Sequence, residues 1–239
     1  MSSPNRGRSG TTPGGKGRFD GYDVMAQRPH WDKQTAHVVA ERLAASEGTA
    51  ARAEGGEGLE FFSPAEAPTV GALLDMVLAQ HQEPKVPVLA MLDARLAQGS
   101  TDGWRYQDMP EDAEAWHYSL KYLDEDADEE YACRFHQCST DQQGALLQAV
   151  QDAETWHGWP AKHVWSLWSR YACAAFYAHP WAWNEIGFGG PAYPRGYKVL
   201  RPGWREPWER AERDAEDPVP WADRAEQAKR EHKARLEHP

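Results

Sequence analysis

The stretch Ser63-Pro64-Ala65-Glu66-Ala67-Pro68-Thr69-Val70-Gly71-Ala72-Leu73-Leu74-Asp75-Met76-Val77-Leu78 reads as one helix with its own start signal. Ser63 stands at an N-cap, Pro64 at the first helical position and Glu66 at the third, the pattern of a capping box. Val70, Leu73, Leu74, Val77 and Leu78 then follow the i, i+3, i+4, i+7, i+8 spacing of one helix face. Pro68 lies just past the first turn, where a missing N–H begins to cost a hydrogen bond, so some irregularity is expected there.

Helical periodicity continues on both sides. Pro84 and Pro87 open an element faced by Leu89, Leu92 and Leu96 and ended by Gly99. After a polar loop over 99–110, the spacing predicts a helix from about Glu111 to Phe135, faced by Trp116, Leu120, Leu123, Ala127, Tyr131 and Phe135. Ser139 or Thr140 caps the next, with Leu146, Leu147 and Val150 as its stripe. A Trp156-His157-Gly158-Trp159-Pro160 turn leads into the helix 161–178, which is apolar nearly all round. Such a helix is either central to its own domain or shared with a partner. Upstream, Val38, Val39 and Leu43 lie on one helical face, and Gly48, Gly55, Gly56 and Gly58 mark a loop. No run alternates convincingly as a strand would, and no internal repeat is present.

The expected fold is all-α: a single irregular helical bundle over 30–202, with extensions on both sides. Residues 1–29 read as a disordered basic arm, rich in Gly, Ser and Pro. Residues 203–239 read as a charged helical tail held by i, i+4 pairs such as Glu206/Arg210 and Glu231/Arg235. Between them, 179–197 is too rich in Gly and Pro for a long helix, and only Pro180 to Ile186 suits a short one.

Composition narrows the function. The 239 residues carry a net charge of −11, against the basic footprint that nucleic-acid binding requires. Ten Asp/Glu and one Lys between 107 and 130 give a local charge of −9, a solvated face that can steer a basic partner. Mean hydropathy is −0.79, and no stretch approaches the ~18 apolar residues of a membrane helix. The basic residues near the N-terminus are separated and no apolar run follows them, which gives no export signal and an expectation of a cytoplasmic protein. Twelve Trp and nine Tyr exceed what a core of this size requires; such amphipathic rings suit interfaces.

Candidate chemistry is sparse. Cys133, His136 and Cys138 form one loose cluster with a distant Cys173, short of the paired short-spacing motifs of a zinc site, so no metal is expected. Three cysteines allow one bridge. Cys138–Cys173 is one choice if the two helices pack, and spacing alone leaves it open. His117, His157, His163 and His179 belong to no nucleophile–base signature. Gly187-Phe188-Gly189-Gly190 is followed by Pro191 and Pro194, which remove the N–H donors a phosphate loop needs. No catalytic or cofactor-binding residue is assigned.

The stretch Phe176-Tyr177-Ala178-His179-Pro180, then Trp183-Asn184-Glu185-Ile186-Gly187-Phe188 and Gly190-Pro191-Ala192-Tyr193-Pro194-Arg195-Gly196-Tyr197, resembles the C-terminal signature of the gluconate 2-dehydrogenase subunit 3 family. The Ser63–Glu66 helix start, Leu92-Asp93-Ala94-Arg95-Leu96 and Ser139–Leu147 are similar to it as well. The resemblance implies a small all-α accessory subunit that binds, matures or stabilises its partner, itself without cofactor or catalysis. Its partner would be a flavin-dependent catalytic subunit of the glucose–methanol–choline type, holding FAD, with a haem c subunit in the same complex. It also implies a periplasmic or membrane-associated setting, in tension with the missing signal. Trp181, Trp183, Ile186, Phe188, Pro191, Tyr193, Pro194, Arg195 and Tyr197 are the expected partner interface, the prolines pre-setting an extended shape. The same segment could instead cover its own bundle. A free-standing aromatic-rich module binding a saccharide or a protein is the alternative function.

Overall fold

Local signals account for most of the elements. The computed structural model describes residues 23–53, 58–81 and 85–191, and the single residue 230. Ser63 Oγ accepts from Glu66 N at 3.3 Å, and Glu66 Oε2 accepts from Ser63 N at 2.9 Å, so the reciprocal box is present. The irregularity expected near Pro68 is a turn over 64–66. The regular helix α2 (Ala67–Val77) begins after it, which leaves Pro68 within the first turn, where no N–H is needed. Val70, Leu73 and Leu74 are buried, with Val77 and Leu78 packed at the margin.

Helix α1 (Lys33–Ala53) runs through Gly48, where a loop is expected from the sequence. Ala44, Ala45, Ala50, Ala51 and Ala53 are strong helix formers and offset one glycine. Its buried line is Ala36 and Val39, while Val38 is 48% exposed, not part of that face. Helix α3 (Val88–Ala97) buries Leu92 and Leu96 and stops before Gly99, whose φ is +63°.

Helix α4 (Asp112–Tyr131) stops short of the expected Phe135. Ala132 turns left-handed at φ +54°, and Phe135 enters the core from a 3-10 turn, Phe135–Gln137. Asp124 Oδ1 accepts both Phe135 N at 3.0 Å and Thr69 Oγ1 at 2.9 Å. In a continuous helix residue 135 would stand about 16 Å along the axis from residue 124, so this bond requires the chain to fold back. Asp128, Glu129 and Glu130 crowd the negative end of the helix dipole with no basic residue in the last turn, which favours termination there.

Helix α5 (Thr140–Asp152) starts from a second reciprocal box, Ser139 with Gln142. The turn after it is a minimal hairpin: β1 (Thr155–Trp156) pairs antiparallel with β2 (Trp159–Pro160). His157 and Gly158 both have positive φ, +46° and +84°, as the favoured two-residue hairpin turn demands. Helix α6 (Ala161–Tyr177) touches α2, α3, α4, α5 and the hairpin. It is therefore the centre of its own bundle, with Val164, Leu167, Trp168, Tyr171, Ala172 and Phe176 buried. No helix among the described residues is long and apolar enough to cross a membrane.

The order within the expected N-terminal arm begins earlier than its composition suggests. Asp23 caps a 3-10 helix over Val24–His30, accepting from Met25 N at 2.9 Å, and Val24 is buried. Residues 1–22 and the tail over 203–239, apart from residue 230, lie outside the described residues.

Candidate partner-binding site

The expected interface segment is built on the last described helix, α7 (Pro180–Ile186). His179 caps it: Nδ1 accepts from Trp181 N at 3.1 Å, which places the ring proton on Nε2. Burial, reinforced by the positive charge of Arg42, lowers the His179 pKa to about 4, so the cap is neutral near pH 7. Gly187 ends the helix in the left-handed region at φ +64°, and Phe188 N closes back onto Trp183 O at 2.9 Å.

This segment docks on the N-terminal part of the same chain. Val24, Trp31, Ala36, Val39 and Trp183 form a second small core, with Met25 and Phe188 against it. Asn184 Oδ1 accepts from Val24 N at 2.7 Å. Trp31 Nε1 donates to Gly189 O at 2.8 Å, and Trp183 Nε1 donates to Tyr177 O at 2.8 Å. Gly190, at φ +94°, lies so close to the Trp31 indole that a Cβ there would sit 2.4 Å from its ring carbons.

The candidate interface residues therefore divide. Trp183 is buried in the second core, Phe188 packs against it, and Trp181 is half-buried against the main core. Ile186 is 46% exposed. Pro191 lines an open groove of about 330 Å³ with Asp32, Thr35, Val38, Arg42 and Trp183. Tyr193, Pro194, Arg195 and Tyr197 lie outside the described residues. Among the described residues, exposed apolar side chains at this end include Val38 on α1, Tyr177 at the end of α6 and Ile186 on α7; Val38 was expected on the same face as Val39. Val38 and Val39 stand about 100° apart round α1, and only Val39 turns into the core.

A second concavity, an open cleft of about 480 Å³, runs between the start of α2 and the acidic face of α4. Glu66, His117, Lys121, Asp124, Asp128 and Arg134 line it. His117 Nδ1 lies 2.6 Å from Glu66 Oε1, its ring stacked on Phe61 with centroids 4.6 Å apart. Burial pushes the Glu66 carboxyl up, but hydrogen bonds from Ser63 and His117 outweigh it and hold the pKa below its usual value. The other histidines singled out are paired likewise: His157 with Asp126 at 2.7 Å and His163 with Asp108 at 2.8 Å. No group of three metal-ligating side chains occurs among the described residues.

The cysteine nearest Cys138 is Cys133. Cys138 Sγ lies 2.7 Å from Cys133 Sγ, while Cys173 is exposed on α6; all three are free thiols. The C-terminal turn of α4 folds back and brings Cys133 and Cys138 together.

Asp93 is the buried polar residue whose role the sequence did not reveal. Its carboxylate accepts from Glu60 N, Phe61 N and Phe62 N at 2.8–2.9 Å, fixing the strap that enters α2. The loop before α4 is held in a similar way: the Arg170 guanidinium lies 4.4 Å from the Trp104 ring centre, its Nε 3.0 Å from Asp102.

Neither the curated proteins nor the solved structures give a match to this chain. A family model described as gluconate 2-dehydrogenase subunit 3 matches residues 64–190. That span starts at the α2 capping box and closes at Gly190, taking in the whole bundle and the docked α7 segment. The chain belongs to the gluconate 2-dehydrogenase subunit 3 family.

Proposed function

We propose that the chain is a non-catalytic small subunit that binds and stabilises the flavin-dependent catalytic subunit of a gluconate, sugar or alcohol dehydrogenase. In this reading FAD resides in the partner, and a haem c subunit completes the complex. The observation that carries the reading is the family match, which covers the bundle from Pro64 to Gly190. Supporting it, Val38 and Ile186 leave apolar surface at the end of the bundle where the α7 segment docks. Exposed apolar side chains beside an open groove suit the centre of an interface.

The test is native purification of the chain from its own host, followed by a visible spectrum and a dye-reduction assay with gluconate, simple sugars and alcohols. The reading expects a larger co-eluting subunit with flavin absorbance and substrate-dependent reduction. A lone colourless monomer overturns it. A saccharide-binding module is the second reading, favoured by one surface feature: Tyr118 is exposed and its ring lies 6.1 Å from that of Tyr122, near Trp159. Saccharide binding by the isolated chain, lost in Tyr118→Ala, would establish that reading instead.

A further inference from the structure

We propose that Cys133 and Cys138 are a dithiol–disulfide couple, closed by exchange with a small-molecule disulfide such as oxidised glutathione, while Cys173 takes no part in the bridge. The inference is independent of the partner assigned above.

Three observations carry it. The two sulfurs are 2.7 Å apart, about 0.7 Å beyond a covalent S–S bond, so closure needs only a small displacement. That spacing is too short for the alternative of a shared metal: two thiolates on one tetrahedral zinc, each bonded at about 2.3 Å, stand about 3.8 Å apart. The turn between them is also fixed independently of the sulfurs. Asp124 Oδ1 holds Phe135 N, Gln143 Nε2 donates to Phe135 O at 2.9 Å, and Phe135 is fully buried. The backbone therefore presents the pair rather than being drawn into place by it.

Exposure sets the order of events. Cys133 is half-buried and Cys138 buried, so of these two the oxidant meets Cys133 first. Burial, with the neighbouring Cys133 next in weight, pushes the Cys138 thiol up to about 12, which keeps it protonated until closure. The Cys133 thiolate attacks one sulfur of the oxidant disulfide; that S–S bond breaks and one thiolate leaves. Cys138 gives up its proton, its sulfur attacks Cys133 Sγ in the mixed disulfide, and the second thiolate departs. Two protein thiols lose two electrons and two protons, and the oxidant becomes two thiols.

Closure ties the C-terminal end of α4 to the start of α5 through a short ring. It constrains the unfolded chain and raises Tm by about 5 °C.

The full-length protein is equilibrated in glutathione buffers from fully reduced to fully oxidised, alkylated and digested with trypsin. Each cysteine falls in its own peptide: 122–134, 135–162 and 171–195. The expected product is 122–134 linked to 135–162 in oxidising buffer, with 171–195 linked to neither and carrying the alkyl group or glutathione. The Tm should rise on oxidation in the unmodified protein and in Cys173→Ser, and be insensitive to redox buffer in Cys133→Ser. Alkylation of both Cys133 and Cys138 in the most oxidising buffer overturns the proposal, and so does a link between 135–162 and 171–195.

Discussion

The indole of Trp31 fills the space that a side chain on residue 190 would need, its ring carbons 2.4 Å from a Cβ placed on Gly190. The close approach lets Trp31 Nε1 reach Gly189 O. Gly190→Ala combines this clash with a φ of +94° that L-residues avoid. It should cost about 2–4 kcal/mol of local docking energy. Loss of the hydrogen-bonded Trp31 indole signal in an NMR spectrum, with the α2–α6 bundle still folded, is the expected result.

His179 makes the same end of the molecule acid-sensitive. Its folded pKa, about 4, lies below the ordinary 6.5, so the unfolded chain takes up a proton first. Stability from this residue is fully present above pH 6.5, falls as the pH drops toward 4 and changes little below that. The loss should approach about 3 kcal/mol. His179→Asn keeps a capping side chain and removes the titration. Urea unfolding at pH 7.5 and 4.5 should show the smaller drop in the variant; equal drops would place the acid sensitivity elsewhere.

Asp93 should be intolerant of neutralisation. Its Oδ1 serves Phe61 N and Phe62 N, and its Oδ2 serves Glu60 N. Asp93→Asn can keep the first pair but turns an amide NH2 toward Glu60 N and loses the charge. The expected cost is about 2–4 kcal/mol, read as a shift in the denaturant midpoint without a change in slope.

Trp183 and Ile186 are three residues apart on α7 and should separate packing from binding. Trp183→Ala empties the second core and should cost about 3–5 kcal/mol. Ile186→Asp, at a half-exposed position, should change stability by less than about 0.5 kcal/mol. Combined with Val38→Asp it should weaken capture of the flavin subunit at least about tenfold, the scale of losing a hot-spot contact. Unchanged capture by that double variant would show that the exposed apolar pair lies off the interface.

Where one helix face meets one core, the pattern of residues was enough to read the fold. Val70, Leu73 and Leu74 on α2, and Leu92 and Leu96 on α3, are buried as their spacing requires. Elsewhere tertiary bonds override local pattern. Tyr131 and Phe135 keep helical spacing, yet the chain turns between them because Asp124 holds Phe135 N. The hairpin at Trp156 and Trp159 is too short for any alternation to show. The α7 segment was visible as Gly/Pro-rich and aromatic, but its direction was not: Trp183 is buried by Trp31 and Val39, some 150 residues away, and nothing local to α7 reports them.

The second core joins positions that leave the ribosome far apart in time. Val24 waits for Asn184, 160 residues later, and Trp31 waits for Gly189, 158 residues later. The α2–α6 bundle has all its own residues by Tyr177 and can collapse first. The seam between the two ends forms last, because its loop closure spans nearly the whole described chain. Any surface that includes both Val38 and Ile186 exists only after that step, so a partner reading it would recognise finished molecules and pass over nascent ones.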